Sequence, residues 1–156
     1  MTSRPTVTIR DLDTAECEAL LARHRYGRIA FSFKDLVDIQ PISYVFEGGW
    51  LSCRTEPGSK LETLRKSPWV AFQVDEVLGP CDWESVSIRG TAYLMAEGSE
   101  DHAATVASIQ RVSPQAFTEA DPTPYRNVVF RVYPREMTGR RASSGTGAAG
   151  SSAPGT

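Results

Sequence analysis

Apolar and polar residues alternate with a period of two over most of this chain. Ile29, Phe31 and Phe33 are separated by Ala30, Ser32 and Lys34, the pattern of a strand with one buried face. The alternation returns from Ile39 to Phe46 and from Trp50 to Thr55, and Glu47-Gly48-Gly49 between them has the chemistry of a hairpin turn. Val70, Phe72 and Val74 alternate with Ala71, Gln73 and Asp75. After a loop, Val86, Ile88, Ala92 and Leu94 mark a long strand, with Gly90 at a bend or bulge. Asn127 to Tyr133 reads as the last strand.

Three segments carry helical spacing instead. Leu12 to Arg25 opens with a capping box, Asp13 and Glu16, and a staple of Leu12 on Cys17. Cys17, Leu20, Leu21 and His24 form its inward stripe, and Gly27 stands where a left-handed residue would end it. Ser59 to Lys66 makes a short helix closed off by Pro68, and Ser99 to Arg111 a third with Ala103, Val106 and Ala107 inward. Six strands, mostly in succession, outnumber these helices. That order predicts a mainly β fold, an antiparallel six-stranded barrel with peripheral helices, since closure removes exposed edges. Residues 1–11 read as an N-terminal extension and 12–141 as the single barrel domain. From Ala142 onward only Gly, Ala, Ser, Thr and Pro occur, so 142–156 reads as a disordered tail.

Composition narrows the function classes. With 156 residues, 40% of them hydrophobic and 23% charged, the chain can build one real core. A net charge of -2 argues against a nucleic-acid partner. No apolar run approaches the ~20 residues that span a bilayer, and Met1 to Thr8 lacks the apolar stretch of a secretory signal. Cys17, Cys53 and Cys81 are odd in number and lack metal-ligand spacing, which fits a reducing cytoplasm. His24 and His102 have no serine, cysteine or acid at triad spacing, so neither hydrolytic catalysis nor a metal site is indicated.

Candidate chemistry concentrates in Arg54-Thr55-Glu56-Pro57-Gly58-Ser59-Lys60-Leu61-Glu62. Ser59 with Glu62 matches a capping box. Lys60, however, places a cation in the first turn of a helix, where the macrodipole disfavours it, and Arg54 adds a second one upstream. Exposed helix amides, a glycine and two cations make a phosphate site. The bland alternative is that Glu56 and Glu62 neutralise these cations at the surface. The residues alone leave both readings open. Arg126, Arg131 and Arg135 are spread along a strand region and form no second cationic cluster.

The order of motifs goes further. Tyr26-Gly27-Arg28-Ile29-Ala30 opens the first barrel strand; Pro41-Ile42-Ser43-Tyr44-Val45 follows, then the Arg54–Lys60 loop. Ala71-Phe72-Gln73-Val74-Asp75-Glu76, Trp83-Glu84-Ser85-Val86 with Arg89-Gly90, and Thr138-Gly139-Arg140-Arg141 complete the series. In this order they resemble the pyridoxamine 5'-phosphate oxidase-like flavoproteins with a split β-barrel, especially the small branch that includes nitroimidazole reductases. The resemblance covers roughly Leu12 to Arg141.

It implies bound FMN and a cytoplasmic homodimer with the flavin at the subunit interface. Arg54, Thr55, Gly58, Ser59 and Lys60 would hold the phosphate and ribityl chain. Ile42, Ser43 and Tyr44 would line the ring, mostly through backbone groups, and Trp83 and Ser85 would reach it from the partner subunit. Arg140 could reach the same interface. A flavin enzyme needs little acid–base apparatus from its protein, so no catalytic residue is singled out. The expected activity is transfer of electrons through FMN to a small molecule, with NADH or NADPH as a donor. A flavin carrier or sensor without turnover is the alternative, and related barrels bind haem or a deazaflavin. Three of the site residues have plainer readings: Tyr44 as a core aromatic, Trp83 as a loop residue after Gly79-Pro80, Ser85 as a hydroxyl facing water.

Overall fold

The computed structural model describes residues 4–145. Seven strands and three helices follow one another: β1 (Thr6–Asp11), α1 (Thr14–Arg23), β2 (Tyr26–Phe33), β3 (Leu36–Glu47), β4 (Trp50–Thr55), α2 (Ser59–Lys66), β5 (Trp69–Gly79), β6 (Asp82–Leu94), α3 (Glu100–Val112) and β7 (Val128–Gly145). The strand order is β1-β7-β4-β3-β2-β5-β6, with β6 also paired to β7. Six strands therefore close a ring, every ladder in it antiparallel, and β1 lies outside as an addition to β7.

The period-two residues fill the ring. Ile29, Phe31, Leu51, Phe72, Val74, Val86, Ile88, Phe130 and Val132 are buried in one cluster, closed at one end by Leu12, Cys17, Leu20 and Leu21 around α1. α1 starts as its sequence demands. The Glu16 N–H donates to Asp13 Oδ1 at 2.8 Å, and the Asp13 N–H donates to Glu16 Oε1 at 3.2 Å. Gly48 and Gly49, with φ of 62° and 83°, make the expected β3–β4 hairpin turn. α3 packs outside the ring, where Ile109 joins Ala116 and Val129 in a small second cluster.

Several expectations need correction. Gly27 does not end α1: His24 is the C-cap, in extended conformation, and Gly27 lies buried within β2. A Cβ there would stand 2.5 Å from Phe72 Cζ and 2.9 Å from the Gln73 carbonyl oxygen, so the glycine serves close packing rather than a turn. Trp83 is not in a loop, because β5 and β6 run on to a tight turn at Pro80-Cys81, and Trp83 pairs with Val77. Strand structure also extends beyond the predicted barrel at both ends. Thr6–Asp11 pairs with Arg140–Gly145, taking in part of the predicted extension and the first four residues of the predicted tail. Residues 146–156 of that tail lie outside the described residues. All six β1 residues are exposed, so backbone hydrogen bonds rather than an apolar stripe define that strand. The β6–β7 ladder shifts register between Arg89 and Gly90, the irregularity that Gly90 foreshadowed. No helix among the described residues is long and apolar enough to cross a membrane.

Candidate functional site

α2 begins immediately after β4, and its first turn is chemically bare. Gly58, not Ser59, is the N-cap residue, and no side chain caps the helix. The predicted Ser59–Glu62 box does not form: Ser59 is already helical, and Glu62 pairs with Arg65 at 3.2 Å. The Leu61 N–H reaches the Gly58 carbonyl at 3.1 Å, leaving the Ser59 and Lys60 amides and the Ser59 hydroxyl available to an acceptor.

The Lys60 side chain turns back to β4, where Nζ donates to Thr55 Oγ1 at 3.2 Å. Among the described residues no carboxylate lies within ion-pair distance of it; Glu62 is with Arg65, and Glu56 exerts only a weak field. Burial pushes the Lys60 ammonium below its ordinary pKa, and Arg126 adds to that push. Lys60 thus has a single neutral hydrogen-bond partner among the described residues. The neighbouring Cys53 is fully buried, its thiol pushed up to about 12, and offers no thiolate.

Arg126, in the turn before β7, is close enough for its charge to act on Lys60. Its Nη2 donates to Ser43 Oγ at 3.1 Å and to the Arg54 carbonyl at 3.2 Å. Lys60 is thus tethered to Thr55 and Arg126 to Arg54, two consecutive residues of one strand. The sequence placed Arg126 with Arg131 and Arg135 as scattered arginines outside any cluster, because nothing local shows that it folds back on a strand 72 residues earlier. Arg54 itself is occupied elsewhere. Its guanidinium is buried against Asp121, Thr123 and the Arg126 carbonyl, and its charge is met by the Asp121 carboxylate.

A cavity of about 690 Å3 opens beside Arg126, between the β3–β4 face and the C-terminal end of α3 with its following loop. Ser43, Tyr44, Arg54 and Arg126 line it, with Arg25 and Tyr26 at the β2 end, whereas Thr55, Gly58, Ser59 and Lys60 do not. Its volume lies within the roughly 300–1,000 Å3 range of small-molecule sites. Of the three residues expected at a flavin ring, mostly through their backbone, Ser43 and Tyr44 line this cavity. Ile42 is buried in the core. The Tyr44 ring packs edge-on to Phe72 at 4.9 Å, and its hydroxyl donates to the Leu21 carbonyl at 2.7 Å. Burial raises its phenol above the ordinary pKa. The Tyr44 ring thus packs as a core aromatic, while the residue also borders the cavity.

Trp83 and Ser85 are not near this cavity within one chain. They lie on β6, three strands from Ser43 in the order β3-β2-β5-β6, or roughly 14 Å at the usual strand spacing. They share the outer sheet face with Tyr26, Val37, Ile39, Trp69 and Val77, which are 63–75% exposed. His24 approaches Glu76 only to 3.8 Å, and its Nε2 is buried without a hydrogen-bond partner. His102 lines a second cavity of about 710 Å3 on the far side of the α3–β7 loop. Among the described residues no cluster of histidines, cysteines and acids is placed to hold a metal.

Comparison with known proteins adds to this geometry. An uncharacterised protein of Rhizobium meliloti is 27% identical over 147 residues, covering 88% of this chain and 97% of its own length. A FAD-binding protein of Mesorhizobium loti superposes with a TM-score of 0.74 at 26% identity, covering 86% of this chain and 99% of that one. The FAD-binding protein of Mycobacterium smegmatis gives a TM-score of 0.62 at 27% identity, with 85% and 98% covered. Residues 13–141, which hold all three helices and the ring strands up to Arg141, match the family described as pyridoxamine 5'-phosphate oxidase, and this chain belongs to that family.

Proposed function

We propose that this chain binds a flavin nucleotide by its phosphate at the start of α2 and works as an FMN-dependent oxidoreductase on a small molecule. The observation that carries the reading is Lys60: a half-buried ammonium with no carboxylate partner among the described residues, beside uncapped helix amides and within the field of Arg126. Thr55 holds Lys60 in place, Ser59 adds a hydroxyl, and Ser43 with the β3 backbone forms the wall along which the rest of the nucleotide lies. Bound flavin supplies the redox chemistry, taking electrons from one small molecule and passing them to another. The protein's part is to neutralise the phosphate, orient the nucleotide and limit access of water. FMN and FAD share the phosphate that this site fits, and the FAD-binding relatives make FAD the competing cofactor.

The same reading makes the working unit a homodimer. The exposed apolar face of β3, β2 and β5 is a surface that a second copy would cover, and that packing would bring the partner's Trp83 and Ser85 to the cavity. Ile39→Glu places a charge on this face, and it should yield monomers with weakened flavin binding.

The absorbance spectrum of the purified chain is the direct test. A yellow protein whose heat-released cofactor has the mass of FMN supports the reading; FAD corrects the cofactor, and a haem spectrum replaces it. Bleaching by NADH or NADPH and reoxidation by an added acceptor indicate an enzyme. Yellow protein inert to every reductant is a carrier or sensor. Colourless protein that refuses added flavin overturns the proposal.

A further inference from the structure

The motif containing Arg54 suggests that this arginine meets the phosphate, yet its donors are taken up by the segment between α3 and β7. Nε donates to the Arg126 carbonyl at 2.5 Å, Nη1 to Thr123 Oγ1 at 3.3 Å, and Nη2 to the Thr123 carbonyl at 3.0 Å and to Asp121. Phe117 covers the guanidinium, ring centroid 4.5 Å from Cζ. Asp121 is equally committed: it accepts the N–H groups of Phe117 and Thr123, each at 2.8 Å, besides Arg54. Burial would raise its pKa, but these donors hold it down at about 2, so the pair stays ionised. Phe117 sits at φ 65°, a conformation that non-glycine residues adopt only when their surroundings hold them there.

These contacts shape the segment between α3 and β7, which walls both cavities. They also form a reciprocal grip. The Arg54 side chain holds the Arg126 carbonyl, while the Arg126 side chain holds the Arg54 carbonyl and Ser43. The Arg54–Asp121 pair and the Arg126 contacts are therefore parts of one hydrogen-bonded unit.

We propose that Arg54 and Asp121 form a latch that positions Arg126, and that Arg126 rather than Arg54 is the guanidinium facing the flavin phosphate. This rests on the flavin reading above and assigns it different residues. Arg54 and Asp121 are positioning residues. Arg126 and Lys60 are the two cations, one fixed by tertiary contacts and the other by its place in the chain.

The test is a titration of flavin-free full-length protein with FMN and with riboflavin, which lacks the phosphate. Arg126→Met should weaken FMN by about tenfold or more, the loss expected of a charge-assisted contact, and leave riboflavin nearly unchanged. Asp121→Asn should weaken FMN in the wild-type background and add little in the Arg126→Met background, because it acts through Arg126. Arg54→Lys, which keeps the charge but not the fork, should behave like Asp121→Asn. Should Asp121→Asn not fold, Thr123→Ala removes one hydroxyl from the latch and should show a smaller loss with the same dependence on Arg126.

An undiminished FMN affinity in Arg126→Met overturns the proposal. So does a latch effect that persists in full without Arg126, or equal losses for FMN and riboflavin. Wild-type protein that binds neither flavin sinks the flavin reading and this inference together. Wild-type protein that binds FMN while the variants deviate from this pattern sinks the latch alone.

Discussion

Replacing Lys60 by methionine removes the ammonium and leaves a side chain of similar length. In the folded chain the ammonium has three N–H donors, and one is occupied by Thr55 Oγ1 at 3.2 Å. Two donors and the full charge remain for a phosphate. Losing one charge-assisted contact costs roughly 1.5–3 kcal/mol, which corresponds to a rise of about 10- to 150-fold in the FMN dissociation constant. Stability should move the other way or not at all, since burial is the main reason the Lys60 pKa is lowered and methionine carries no such penalty. The pH dependence has a definite sign. Because the folded chain lowers the pKa of Lys60, the unfolded chain binds more protons between the two values, and this group's contribution to stability rises with pH there. FMN affinity should increase as the phosphate takes its second charge near a pKa of about 6. It should then fall as pH climbs through the lowered Lys60 value, and only wild type should show that alkaline fall at this pH. Flavin fluorescence titrations across pH, with thermal melts of the flavin-free protein, measure both effects. A Lys60→Met protein that binds FMN as wild type does, alkaline limb included, would falsify the placement of the phosphate.

Three further outcomes probe the frame around the site. Gly27→Ala drives a methyl group into Phe72 and the Gln73 carbonyl and should cost about 1–3 kcal/mol, a loss of several degrees in Tm that Phe72→Leu partly restores; an unchanged melt would contradict the packing. Tyr44→Phe removes the buried bond to the Leu21 carbonyl and should cost about 1 kcal/mol while flavin affinity stays constant, whereas a selective loss of flavin would move the hydroxyl's role to the ligand. The Glu16 carboxyl, held at about 2 by its hydrogen bonds from Arg10 and the Asp13 backbone, also meets Arg141 at 3.4 Å. Its stabilising effect is present above its ordinary pKa and is lost as pH falls through about 2, so β1 amides should exchange faster in that window, and Glu16→Gln should remove the pH dependence.

Local and periodic features of this protein were determined by the sequence itself. The alternation of Ile29, Phe31, Phe72, Val74, Val86 and Ile88 sets the ring's interior, the Asp13–Glu16 box starts α1, and Gly48-Gly49 turns the β3–β4 hairpin. Each depends on neighbours within a few positions, so composition and spacing suffice. Lys60 belongs to the same class, because its place in a helix's first turn is a local fact. β1 was invisible for the opposite reason: every one of its side chains is exposed, and its partner strand lies some 130 residues away. Only the tertiary structure could bury Arg54 against Asp121 and bring Arg126 to Ser43. Their separations from Asp121 and Ser43 are 67 and 83 residues, and an arginine's neighbours in the chain do not say which distant acceptor its fork will meet. Burial decided it, since a guanidinium withdrawn from water must find its hydrogen-bond partners wherever the fold provides them.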